Sequence, residues 1–99
     1  MLARNVRTRH GEIDLIAIDH SDLCFIEVKT LSTGNRAGPE RPIAAVTPSK
    51  CRRLRALAAA WLSEAGRLPR FARIRFDVVG ILVDPAGRIV DYEHLRGAF

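Results

Sequence analysis

The sequence predicts a small α/β domain with elements in the order β-β-β-α-β-β, built around one mixed β-sheet. Three observations carry this. Apolar residues recur at helical spacing in a single stretch, from Cys51 to Ala65. Segments rich in β-branched residues flank that stretch on both sides. Clusters of Gly, Pro, Asn and Asp separate the segments. Ninety-nine residues allow one domain, residues 1–99, with no internal repeat.

Taken in order, Leu2 to Thr8 is a short extended segment and Arg9-His10-Gly11 a turn. Glu12 to Ile18 reads as a strand, with Ile13, Leu15 and Ala17 on one face and Ile16 and Ile18 on the other. Asp19 to Asp22 is a polar loop, and Leu23 to Thr30 is the next strand. Ser32 to Pro42 carries two Gly, two Pro and Asn35, the composition of a loop. Thr47-Pro48 is a helix start, with Thr as N-cap and Pro at the first helical position. Leu54, Leu57, Ala58, Trp61 and Leu62 form its apolar stripe, and Gly66 suits its C-terminal cap. Arg73 to Val83 is a long strand. Asp84-Pro85-Ala86-Gly87 has the residues of a type I turn. Arg88 to Tyr92 is the returning strand and His94 to Phe99 a tail. One helix cannot cover both faces of such a sheet, so a missing helix or a partner chain is expected on the second face.

Composition narrows the function. No run of about 18 apolar residues exists, so no membrane span is expected. The start lacks the apolar core of a signal peptide, and cytoplasm is the expected location. Cys24 and Cys51 match no metal-ligand spacing and read as reduced packing residues. The net charge is +5, and 14 of the 16 basic residues are Arg. Arginine binds phosphate bidentately, which makes nucleic acid the natural partner, although a GC-rich genome also favours arginine codons. Lys50, Arg52, Arg53 and Arg55 crowd the first turns of the helix, where cations oppose the helix dipole. Phosphate contact is one reason for that placement; a solvated basic face is the other. Arg7 and Arg9, with Arg4 and His10, form a second basic group near the first turn. His10, His20 and His94 show no ligand spacing and read as loop surface. Asp77 interrupts an apolar strand, and pairing with a neighbouring Arg is the expected reason. Trp61 reads as core.

The chemistry concentrates at Asp14, Glu27 and Lys29. If the loop at residues 19–22 closes a hairpin, paired positions sum to 41. Asp14 then falls opposite Glu27, and Glu12 opposite Lys29. Opposed side chains in such a pair lie roughly 4.5–5.5 Å apart at Cβ, and like charges there destabilise the sheet. A hard divalent cation reverses that sign, and Mg²⁺ is satisfied by one or two carboxylates plus water. Period two sets Glu27 and Lys29 on one face and turns Val28 away. A solvated or ion-paired surface is the plain alternative. Both acids nevertheless interrupt apolar runs, Ile13-Asp14-Leu15-Ile16 and Phe25-Ile26-Glu27-Val28, where charge needs a reason.

Gly-Glu-Ile-Asp-Leu-Ile-Ala at 11–17 and Phe-Ile-Glu-Val-Lys-Thr at 25–30 resemble the PD-(D/E)XK nuclease motif in the version of the YraN family, uncharacterised bacterial proteins. The resemblance continues through Ala45-Val46-Thr47-Pro48-Ser49-Lys50, Arg75-Phe76-Asp77-Val78-Val79 and the closing Glu93-His94-Leu95…Ala98-Phe99, so it spans essentially the whole chain. It implies a restriction-endonuclease-like fold and Mg²⁺- or Mn²⁺-dependent hydrolysis of phosphodiester bonds in DNA. It implies Asp14 and Glu27 as metal carboxylates, the Val28 carbonyl as a further metal ligand and Lys29 as the catalytic lysine. It also implies a preceding helix with a glutamate. Since Met1-Leu2-Ala3-Arg4-Asn5 begins at the following strand, that helix is expected to be missing. Two other readings accompany this one: a nucleic-acid-binding module without turnover, and a small interaction protein that forms a homodimer through the uncovered sheet face.

Overall fold

The computed structural model describes residues 1–33 and 47–99. Five strands and one helix follow in the expected order. They are β1 (Ala3–Thr8), β2 (Gly11–Asp19), β3 (Asp22–Ser32), α1 (Pro48–Glu64), β4 (Arg73–Val83) and β5 (Ile89–Leu95). The strands form one sheet in sequence order, β1-β2-β3-β4-β5. β3 and β4 are parallel and the other neighbours antiparallel, so the sheet is mixed. The parallel pair is the one joined through the helix, as a crossover connection requires. Most of the segment from Ser32 to Pro42, and Ala45-Val46 of the family-like stretch, lie outside the described residues.

The helix starts as its sequence dictates. Thr47 is extended, its hydroxyl accepts from the Lys50 amide at 3.2 Å, and Pro48 occupies the first turn. Its end differs from expectation. The chain leaves the helix at Ala65 in an extended conformation, with the Ala65 amide donating to the Trp61 carbonyl at 2.8 Å. No left-handed residue is needed there, so Gly66 is not the cap. Leu54, Leu57 and Ala58 bury against Ile13, Ile16, Leu23, Phe25 and Phe76 of the sheet. Each buried Leu, Ile or Phe side chain contributes roughly 1.5–3 kcal/mol of apolar transfer, and the Ala58 methyl about 0.8. Trp61, expected in the core, is half-buried at its edge and meets Phe25 edge-on at 5.8 Å.

Of the two- and four-residue loops that the polar run allows between β2 and β3, the structure has the shorter. Asp19 and Asp22 are themselves paired, leaving His20-Ser21 as the turn, with His20 at φ 56°. The β1–β2 turn needs Gly11 twice over. Its φ is +140°, and a Cβ there would meet Leu57 Cδ2 at 3.3 Å. The Asp84 turn closes with the Gly87 amide on the Asp84 carbonyl at 2.9 Å. β5 runs on to Leu95, so His94 lies in a strand rather than in a surface tail. Phe99 stacks on Phe76 at 5.5 Å, anchoring the last residues to the sheet.

One expected facing pattern fails. Ile13 and Ile16 both enter the helix-facing core, although an odd spacing places residues on opposite faces of a regular strand. Their partners in β1, Val6 and Ala3, show the same shift of face. The alternation therefore breaks between them, at Asn5 and Asp14. The helix covers one face of the sheet, and no described helix lies on the other. Among the described residues no helix is long and apolar enough to cross a membrane.

Candidate functional site

Pairing between β2 and β3 runs from Asp19–Asp22 to Leu15–Ile26, and every pair sums to 41 as the sequence predicts. The ladder stops there. Asp14 and Glu27 occupy the next position, where the strands part, instead of facing each other as a regular pair. Glu12 is likewise not opposite Lys29; its partner is Arg7 in β1. At the parting point the Asp14 carboxylate does what a backbone carbonyl would have done. Its Oδ2 accepts from the Val28 amide at 2.8 Å. In an extended strand the N–H and C=O of one residue point to the same edge, so the Val28 carbonyl is directed at the same opening.

Glu27 and Lys29 share a face, as period two requires. Lys29 Nζ lies 3.0 Å from Glu27 Oε1, and both side chains are largely shielded, at 25% and 13% exposure. The parted strands leave a cleft of about 370 Å³ lined by Arg4, Asn5, Asp14, Leu15 and Val28. Two carboxylates, a lysine and a backbone carbonyl are thus drawn from adjacent positions of one hairpin. Among the described residues no three His, Cys, Asp or Glu side chains converge on one point.

The basic residues divide. Arg52, Arg53, Arg7 and Arg9 are exposed, and Lys50 is half-buried. Arg55 is exposed as well, and its guanidinium also lies over the Phe76 ring at 4.7 Å and 5.9 Å from that of Phe99.

A second polar cluster lies where the β2–β3 turn meets the start of β4. Asp77 is fully buried. It takes two hydrogen bonds from Arg75, one from the Gly97 amide at 3.0 Å, and contacts His94 Nε2 at 2.8 Å. The expected arginine partner is therefore present, and His94 joins it. Arg75 also reaches Asp19 and Asp22, and Arg73 forms a two-point contact with Asp22. Burial pushes the Asp77 carboxyl up, but Arg75, the Gly97 amide and His94 outweigh it and hold it below the usual carboxylate range. Hydrogen bonds from Arg75 and Arg73 hold Asp19 and Asp22 below that range as well. Arg75 is held firmly charged by Asp77. A larger cavity of about 700 Å³ borders this cluster. Its guanidinium and carboxylate groups are mutually satisfied, which makes it a structural clamp across β2, β3, β4 and β5. Cys24 is buried beside it, and burial pushes its thiol up.

Sequence reasoning missed Asn5 and His94. Nothing in the sequence marks the backbone angle of the first, and the second is visible only once the sheet order sets β5 beside β4.

The profile of the uncharacterised protein family UPF0102 matches residues 1–81. A UPF0102 protein of Frankia alni is 48% identical over 99 residues, covering 100% of this chain and 78% of its own. One from Rhodococcus jostii is 47% identical over 96 residues, covering 97% and 76%. One from Streptomyces griseus is 46% identical over 97 residues, covering 98% and 77%. A match over most of the chain together with identities at this level settles kinship, and the chain belongs to the uncharacterised protein family UPF0102.

Proposed function

We propose that this chain is a nuclease of the PD-(D/E)XK class, hydrolysing phosphodiester bonds in DNA with a divalent cation, and that Asp14, Glu27 and Lys29 carry the reaction. The observation that supports this best is the parting of β2 from β3 at Asp14, with Glu27 and Lys29 at the adjoining positions of β3. A hairpin meant only for stability has no use for two acids at the place where its ladder opens.

The donor set suits Mg²⁺ or Mn²⁺, being made wholly of hard oxygen. Among the described residues the second oxygen of each carboxylate carries no hydrogen bond. Asp14, Glu27 and the Val28 carbonyl would hold the ion, which supplies a Lewis acid and lowers the pKa of bound water. The chain's own groups do the rest. The Val28 amide fixes the Asp14 carboxylate. Lys29 places a positive charge beside Glu27, where it can steady the attacking water or the charge that develops on the phosphate. Arg52 and Arg53, at the start of α1, are the exposed cations for the flanking phosphates, with Arg7 and Arg9 in support. Nothing in this arrangement reads base edges, so binding follows backbone and shape, and branched or otherwise structured DNA is a fitting substrate.

One observation favours the second reading, a nucleic-acid-binding module without turnover. Glu27 and Lys29 neutralise each other at 3.0 Å, which engages both groups. The two separate by experiment. Supercoiled and four-way-junction DNA are incubated with the protein and Mg²⁺ or Mn²⁺, beside Glu27→Ala and Lys29→Ala. We expect cleavage by the wild type and a loss of at least a hundredfold in each variant. Cleavage that survives both substitutions would falsify the site. Salt-sensitive binding with no cleavage would select the second reading.

A further inference from the structure

Asn5 is a non-glycine residue inside a strand with φ of 50°, in the left-handed region. Such a conformation is uncommon outside Gly, and Asn is among the side chains that tolerate it best. His20 shares it, but His20 sits in a two-residue hairpin turn, where it is expected. Nothing about a strand calls for it at Asn5. Backbone outliers of this kind persist where their surroundings impose them, and they cluster at functional sites.

The surroundings point to Asp14. β1 and β2 pair at Arg4–Leu15 and again at Val6–Ile13, both summing to 19. The position between them, Asn5 opposite Asp14, drops out of the ladder. No residue is inserted, yet the facing pattern shifts in both strands, so that Val6 and Ile13 join Ala3 and Ile16 in the core. On its other side Asp14 also lies past the end of the β2–β3 ladder. It is therefore released from both neighbours, and its carboxylate reaches the Val28 amide at 2.8 Å. The cleft of about 370 Å³ opens at this point, with Asn5 in its wall.

We infer that Asn5 is a positioning residue: its left-handed backbone releases Asp14 from the β1–β2 ladder and aims the Asp14 carboxylate at Val28. The inference rests on the nuclease reading only for its purpose; the geometry stands on its own. What Asn5 supplies is a backbone conformation, so glycine can replace it and β-branched residues cannot.

The test uses the full ¹⁵N-labelled chain and reads the Val28 amide by NMR. An amide donating to a carboxylate is shifted downfield and protected from hydrogen exchange. Asp14→Asn marks the signal of a weakened contact, and the Val79 amide, in the β3–β4 region, is the reference. Asn5→Gly is expected to keep the wild-type shift and protection. Asn5→Ala is expected to speed Val28 exchange at least tenfold relative to Val79 and to move its shift toward that of Asp14→Asn. Asn5→Val should do so more strongly, and if it fails to fold, the Gly–Ala comparison still decides. The inference is overturned if Ala retains the contact as well as Gly, or if Gly loses it. Cleavage assays on the same variants keep the two proposals apart. A wild type that never cleaves, with the Gly–Ala difference intact, leaves the positioning role standing and removes the nuclease reading. A wild type that cleaves, with Asn5→Ala cleaving equally and its Val28 contact unchanged, does the reverse.

Discussion

At the scale of single residues, the contrast between Asp14 and Glu27 is informative. Asp14 is tied into the backbone through Val28, whereas Glu27 is tied to a side chain, that of Lys29. Their substitutions should separate accordingly. Asp14→Asn trades a charge-assisted hydrogen bond for a neutral one and is expected to cost about 1 kcal/mol. Glu27→Gln and Lys29→Met break a largely shielded ion pair and should each cost about 1–2 kcal/mol. Urea unfolding curves measure all three. A loss of several kcal/mol at Glu27 or Lys29 would make the pair a stabilising device and weaken the argument that it is kept for chemistry. Much at this scale was legible in the sequence. Asp14 and Glu27 stood out because each charge interrupted an apolar strand, and Lys29 because period two sets it on the face of Glu27. Asn5 did not, because a single Asn carries no mark of its φ angle.

Among the elements, the contact between the β1–β2 turn and α1 sets how closely helix and sheet approach. Gly11 lies against Leu57 and holds a φ that L side chains rarely adopt. Gly11→Ala should therefore destabilise by about 1–3 kcal/mol, from backbone strain and overpacking together. Leu57→Ala should cost about 2–5 kcal/mol through the cavity it leaves. The double variant should cost less than the sum, because Leu57→Ala vacates the space that the added methyl enters. Thermal or urea melts of the three variants provide the check, and strict additivity would mean that only the backbone term is real. The helix start was readable from Thr47-Pro48 alone, since capping is a local hydrogen bond. The helix end was not. Gly66 offered a left-handed cap, but the chain turns away extended at Ala65 and has no use for one.

For the molecule as a whole, the clamp around Asp77 and Arg75 ties β2, β3, β4, β5 and the chain end into one unit. Its pH dependence has a definite sign. Asp19, Asp22 and Asp77 titrate lower in the folded protein than the ordinary Asp value of about 3.9 that applies when unfolded. Between the folded and unfolded values the unfolded chain binds more protons. The contribution of these groups is therefore complete above about pH 4 to 5 and is lost as pH falls through the lowered folded values. Asp77→Asn should remove part of that acid dependence. It should also destabilise at neutral pH by about 1–3 kcal/mol, because the buried charged acceptor is lost while Arg75 keeps Asp19 and Asp22. Urea unfolding between pH 3 and 7 measures both effects. An unchanged acid limb in Asp77→Asn would show that the clamp is not what titrates.

The amino-acid sequence was sufficient for what rests on local rules. Periodicity yielded one helix and five strands in order, hairpin arithmetic yielded the 41-sum register, charge in apolar strands singled out Asp14 and Glu27, and period two added Lys29. What it could not contain was the set of relations between distant segments. The β2–β3 ladder ends one pair before Asp14, so a predicted face-to-face carboxylate pair becomes an opening held by the Val28 amide. β5 reaches Leu95, so a histidine expected on the surface becomes a partner of buried Asp77. Both outcomes turn on where neighbouring strands stop pairing. That is a balance among twist, side-chain packing and backbone hydrogen bonds over the whole sheet, and no window of a single strand records it.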